Sequence, residues 1–294
     1  MSLDDATVAF PRRVRLASEL RGLRDAAGVS GRALANRIGV SQSKVSRIEN
    51  GSVVPTLPEV DAWSRELGLP DDLRRRLAVM TKAAHTEAQP WRSQLAGKGH
   101  LQNQILEREC AARNVRIFQS AVVPGLLQTP DYARAVFSSV LPRISEADRA
   151  AAVAARMDRQ LEMYEGARTY EFLITEAALR WRPGSREMLA LQFDRIAHLA
   201  TLHNVSIGLI PLDVRALTIT GHGFVIYDRE ECSEAVVETV HAEVTASAAE
   251  EVEIYEEHWS LLKRMSISGS AAREFASQLA AEYRSFSDDG SDHK

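Results

Sequence analysis

The sequence predicts two unlike domains: an all-α N-terminal domain of about five helices and a C-terminal domain of mixed α/β (α+β) architecture. Three observations predict this. The chain has 294 residues, and at roughly 100–200 residues per domain that length calls for two. Between residues 13 and 82 apolar residues recur at spacings of three and four in short runs stopped by glycine. Beyond residue 114, β-branched and aromatic runs such as YEFLIT and VSIGLI appear instead. Charge is also divided. From Arg12 to Arg47 nine Lys/Arg stand against two Asp/Glu, whereas from Glu230 to Lys294 five stand against fifteen, so the net charge of -4 hides a gradient.

Composition narrows the function classes. Hydrophobic residues make up 45% and charged residues 26%, which excludes a wholly disordered, collagen-like or disulfide-scaffold protein. No apolar run approaches the ~18 residues of a membrane helix. The start, MSLDDATVAF, has no basic segment followed by an apolar one, so no secretion signal is expected. Cys110 and Cys232 cannot build a disulfide framework and form no CxxC pair, so they are expected as reduced thiols of a cytoplasmic protein. The basic N-terminal stretch is what a polyanion-binding module needs, whereas the acidic half argues against nonspecific coating of nucleic acid by the whole chain.

The first helix is expected from Arg13 to Ala27, with Val14, Leu16, Ala17, Leu20 and Leu23 on its apolar side and Gly28 as its C-terminal cap. Ser30 can cap a second helix carrying Leu34, Ala35 and Ile38, which Gly39 stops. Ser41 can cap a third, Gln42 to Asn50, closed by Gly51. A fourth follows over Glu59–Leu67 and a fifth over Asp71–Lys82. The three-residue connection Gly39-Val40-Ser41 has the length and glycine of a helix-turn-helix. At 100° per residue Val45 and Ile48 share one side of the third helix. Gln42, Ser43, Ser46, Arg47 and Asn50 span about 140° of the other. Amide, hydroxyl and guanidinium groups suit base edges: Gln on adenine, Arg on guanine or phosphate, Ser on either kind of base. The helix N-terminus also favours phosphate.

Residues 20–69, centred on ALANRIGVSQSKVSRIENG, resemble the lambda-repressor-like helix-turn-helix domain of the xenobiotic-response-element type. The resemblance implies DNA reading by the first, second and sixth residues of the third helix, here Gln42, Ser43 and Arg47. Ser41, Lys44 and Ser46 stand beside them, and Asn50 lies in a phosphate-contacting turn. It also implies a structural ion pair between Arg24 and Glu49. Where many members carry a phosphate-touching Gln at the start of helix two, this chain has Gly31, and Arg32 is the candidate replacement.

Residues 87–100 read as a linker, and residues 101–286 as the second domain before a tail, 287–294, expected to be disordered. Helices are expected over 101–114, 131–141, 145–166, 185–202, 249–265 and 270–286. Strands are expected over 115–123, 170–175, 205–210, 224–227 and 236–240. The string VVPGLLQTPDYARAV at 122–136, with Arg156, Arg159, Gln160, the segment 176–179, GFVIYD and AVVETV, resembles a domain of unknown function found behind such modules in actinobacterial regulators. That resemblance, often described as antitoxin-like, implies modulation by a small protein encoded nearby.

Enzyme signatures are missing. There is no HExxH, GxSxG, GxGxxG or GxxxxGK[ST] string, and the histidines, among them His198, His203, His222 and His241, show no metal-ligand spacing. No catalytic residue, cofactor or metal is therefore expected. Pro124, Gln128, Arg156, Arg159 and Gln160 are candidates for holding a partner or an anionic ligand, with intradomain ion pairs as the competing reading. The expectation is a cytoplasmic, nucleoid-associated DNA-binding transcriptional regulator, homodimeric because one module covers little duplex. Its rivals are an antitoxin-like binder of a small neighbour and a small-molecule sensor.

Overall fold

The computed structural model describes residues 12–90, 100–141, 143–230, 233–240 and 242–285. The chain divides into two compact units. The first comprises Met1–Ser93 with His241–Glu251, and the second Gln94–Val240 with Val252–Lys294.

The first unit holds helices α1 (Arg12–Ala26), α2 (Gly31–Ile38), α3 (Gln42–Glu49), α4 (Leu57–Glu66) and α5 (Asp71–His85). Their apolar faces meet in one core of Leu16, Leu20, Leu34, Val45, Ile48, Val60, Trp63 and Leu77. Three of the starts are fixed locally by caps. The hydroxyls of Ser30 and Ser41 accept from Ala33 N and Lys44 N at 3.1 Å, and Thr56 with Glu59 makes a reciprocal capping box. Gly39 ends α2 at φ 73°, where a Cβ would be strained.

The expected linker begins differently. Strand β1 (Thr86–Pro90) pairs antiparallel with Ala242–Ala246, Thr86 opposite Ala246 and Pro90 opposite Ala242. Residues 91–99 of that linker, and the tail 287–294, lie outside the described residues. His85 ties this ribbon to the bundle: Nε2–H donates to Pro55 O at 3.0 Å, and Nδ1 accepts from Ser247 Oγ at 3.1 Å. That tautomer follows because a carbonyl can only accept. The helical unit is thus completed by a segment expected in the other domain.

The second unit contains α6 (His100–Ala111), β2 (Asn114–Gln119), α7 (Pro130–Ser139), α8 (Glu146–Gln160), β3 (Thr169–Thr175), α9 (Glu176–Arg180), α10 (Arg186–Leu199), β4 (Val205–Ile210), β5 (Phe224–Asp228) and β6 (Glu234–Glu238). The Ala242–Ala246 strand of the first unit is β7, and α11 (Ala249–Met265), β8 (Ile267–Ser268) and α12 (Gly269–Ser285) follow. The strands of the second unit run in the order β6-β5-β2-β3-β4-β8. β2, β3 and β4 are parallel, and β5, β6 and β8 pair antiparallel to their neighbours. The architecture is α+β, as expected. β3 and β4 are buried along nearly their whole length, as parallel strands covered on both faces must be. Phe193 of α10 meets Tyr283 of α12 edge-on at 5.4 Å.

Most helix ends move by one to three residues, and three elements shift in ways that matter more. The strand expected over 115–123 stops at Gln119. The helix expected over 145–166 stops at Gln160 and continues as a short 3-10 turn. The strand expected over 236–240 occupies Glu234–Glu238. There, Arg229 pairs with Glu234 at 2.5 Å, so a carboxylate that reads as loop sits buried at the strand start.

Candidate nucleic-acid interface

Helix α3 is the centre of the site. Val45 and Ile48, each about 1% exposed, anchor it in the bundle. Gln42, Ser43 and Ser46 are exposed on the other side, and Arg47 is half-buried with Nε 3.4 Å from Ser43 O. Ser41, also exposed, spends its oxygen on the Lys44 amide as the N-cap. No acidic residue lies in the first turn of α3, so the positive end of the helix is unopposed there. Asn50 is exposed, and its Oδ1 accepts from Ser52 N at 2.9 Å. The Ser52 and Val53 amides both donate to Arg47 O, which fixes the turn after the helix. Arg32 is exposed on the first turn of α2.

Arg24 reaches from α1 to the end of α3. Nε and Nη2 grip the two carboxylate oxygens of Glu49, the second at 2.9 Å, and Nη1 donates to Val29 O at 2.8 Å. The hydrogen bond to Glu49, opposed by burial and aided by the charges of Glu49 and Asp25, holds the guanidinium above its ordinary range. The pair ties α1 to the end of α3 and leaves neither charge free.

Lys44 behaves otherwise than its place beside the reading residues suggests. Its Nζ lies 2.5 Å from Glu59 Oε1, the same carboxylate that caps α4. Burial pushes the Glu59 carboxyl up, but hydrogen bonds from Lys44 and from the Thr56 amide outweigh it and leave the group below the usual carboxylate range. Lys44 is thereby a strut between α3 and α4. The Thr56-Leu57-Pro58-Glu59 spacing was the sequence signal for the cap, but nothing local signalled the lysine.

The second candidate set lies in the other unit. Pro124 precedes the 3-10 turn Gly125–Leu127, and Gln128 ends it. Gln128 is 1% exposed and donates to Val123 O at 2.8 Å. Gln160 donates to Gly125 O and Gln128 O and accepts from Arg195. Arg159 pairs with Glu109 at 3.0 Å, both almost fully buried. Burial pushes the Glu109 carboxyl up against the pull of Arg159. Arg159 and Gln160 are thus engaged inside the domain. Arg156 shares Gln128 Oε1 at 2.6 Å and lies over the Phe137 ring, 4.1 Å from its centroid. Among the described residues no cluster of three or more His, Cys, Asp or Glu stands ready for a metal ion, and no helix is long and apolar enough to cross a membrane.

A capped helix pair with a short glycine turn and an outward polar face on the second helix defines a helix-turn-helix protein, a DNA-binding regulator by class. Residues 15–77 match a family model described as a helix-turn-helix domain. Residues 102–278, more than half of the chain, match the domain of unknown function DUF5753, and the chain belongs to that family. No curated protein matches it. Among solved structures it is similar to a phospholipase D family member, Nuc from Salmonella typhimurium, at 14% identity over 57% of this chain and 90% of that one. The TM-score is 0.30, so the likeness carries no argument.

Proposed function

We propose that the chain is a sequence-specific transcriptional regulator without catalytic activity of its own, acting on the chromosome in the cytoplasm. Helix α3 enters the major groove, with Gln42, Ser43, Ser46 and Arg47 toward base edges and Asn50, Ser41 and Arg32 toward phosphates. The observation that supports it most is the two-sidedness of α3: two aliphatic anchors buried, and a continuous polar face exposed. A single module of this kind buries only about 600–1,000 Å² on DNA. The chain therefore acts as a homodimer on two half-sites about one helical turn apart. The C-terminal domain supplies the input, a small protein or ligand that acts by differential affinity for the DNA-competent arrangement.

Selection from random duplexes tests the reading. Gln42→Ala and Arg47→Ala are expected each to lose about 1–3 kcal/mol of base discrimination while the fold is retained. The affinity of the unaltered chain should fall by about 0.9 logarithmic units per phosphate contact for each tenfold rise in salt. If both variants recover the same site as the unaltered chain, α3 is not the reading helix.

A further inference from the structure

Arg156 differs from four other cations of the second unit in what it holds. Arg159, Arg116, Arg168 and Arg229 each hold a carboxylate. Among the described residues, the Arg156 guanidinium has no carboxylate within ion-pair distance, and its hydrogen bond goes to the neutral amide oxygen of Gln128. That oxygen is held in place, because the amide nitrogen of Gln128 is bound to Val123 O and its backbone oxygen to Gln160. One face of the guanidinium is covered by Phe137. On another side is Gly125, where an added Cβ would sit 3.3 Å from Nε and 3.4 Å from Cζ. Nε itself is buried and unpaired. Burial and the neighbouring charge of Arg159 push the group down to about 10, with only Glu238 opposing. At neutral pH it is still a cation, in a setting where an uncompensated charge is costly. Taken as whole residues, Arg156, Gly125 and Phe137 are all half-buried.

We propose that Arg156, framed by Phe137, Gly125 and Gln128, is a receptor for the carboxylate of a small organic acid. This rests on the reading of the C-terminal domain as the input domain and gives that input a chemistry. One uncompensated positive charge matches one carboxylate. A planar guanidinium takes a carboxylate in its own plane through two parallel bonds, and the Phe137 ring lies over its face rather than at its edge. A phosphate dianion would bring a second negative charge beside the fixed Gln128 oxygen. The apolar wall of Phe137 favours an acid with a short hydrocarbon body.

The test uses the full chain and thermal unfolding with graded butyrate or benzoate, against chloride and inorganic phosphate at equal ionic strength. The monocarboxylates should raise the unfolding temperature of the second unit above both controls. Arg156→Gln should abolish the rise. Arg156→Lys, which keeps the charge but loses the planar fork, should weaken it about tenfold or more in concentration. Gly125→Ala, with the cation intact but crowded, should weaken it as well. Equal response to phosphate, an unchanged response in Arg156→Gln, or no response above chloride each overturns the carboxylate site. Operator binding by the unaltered chain without acid is measured in parallel; its loss would count against the DNA reading alone.

Discussion

Replacing Arg24 by Met removes a two-pronged contact to Glu49 and the bond to Val29 O, while nearly preserving the length of the side chain. What remains is the Glu49 carboxylate, with its side chain only 12% exposed. Breaking a buried pair from one side costs about 3–5 kcal/mol. The pair has a rim of solvent near Asp25, so the lower figure, about 3 kcal/mol, applies. Removing both partners at once, Arg24→Met with Glu49→Leu, leaves no stranded charge and should restore all but about 1 kcal/mol. The second change thus recovers about 2 kcal/mol of the first one's loss, and Glu49→Leu measured alone completes the double-mutant cycle that isolates the coupling. Because the chain has two units, one global melt does not report on this site. Amide hydrogen exchange of α1 and α3 does. A loss of 3 kcal/mol accelerates exchange about 150-fold at 1.36 kcal/mol per decade. The double variant should exchange only a few-fold faster than the unaltered chain. An acceleration below about fivefold in Arg24→Met, or a double variant no slower than that single one, would refute the stranded-charge reasoning.

Acidification should release the Lys44 strut. Glu59 is held below the usual carboxylate range, so its contribution is present above that range and disappears as pH falls through its folded value. Carboxyl NMR titration should show the Glu59 midpoint moving up in Lys44→Met, and no movement would place the cause elsewhere. Gly39→Ala forces a Cβ into φ 73° with open space around it, so the cost is conformational alone, about 1–2 kcal/mol, read as faster exchange of α2. Asn50→Ala removes one of the two acceptors of the Ser52 amide, Arg47 O remaining, and should cost about 0.5–1 kcal/mol, with DNA affinity lost uniformly across operator variants rather than at one base. Base-specific loss would move Asn50 to the reading set.

What the sequence made legible in this molecule is what acts over a few residues. Ser30, Ser41 and Gly39 state their helix ends through their own hydroxyls or their freedom at positive φ, and the α3 periodicity states which side is buried. The parallel strands announce themselves because both faces are largely covered, so YEFLIT and VSIGLI are apolar at most positions. The contacts that escaped are those between segments with no shared local pattern. Lys44 meets Glu59 across a turn, and a basic residue beside a reading face looks the same whether its ammonium points to a phosphate or to a carboxylate. Arg156 and Arg159 lie three residues apart on one helix, yet one is neutralised by Glu109 and the other is not, and only packing separates them.

The ribbon of β1 with β7 is the clearest such case, and it alters what the helical unit is. TEAQP carries no alternation and ends in proline, which fits an edge and little else. Its partner lies more than 150 residues later. Closing so long a loop costs only slightly more than closing a short one, since the entropy grows with the logarithm of length, so the pairing is cheap to make and invisible to a local reading. Through His85 the ribbon is bonded to Pro55 O, in the connection that follows the Asn50–Ser52 turn. The strand at 242–246 and Ser247 therefore bear, through His85, on the connection between α3 and α4. The unit that would hold DNA is defined by two stretches of sequence, and a change in the second stretch has a hydrogen-bonded route to the first that does not pass through α1 or α2.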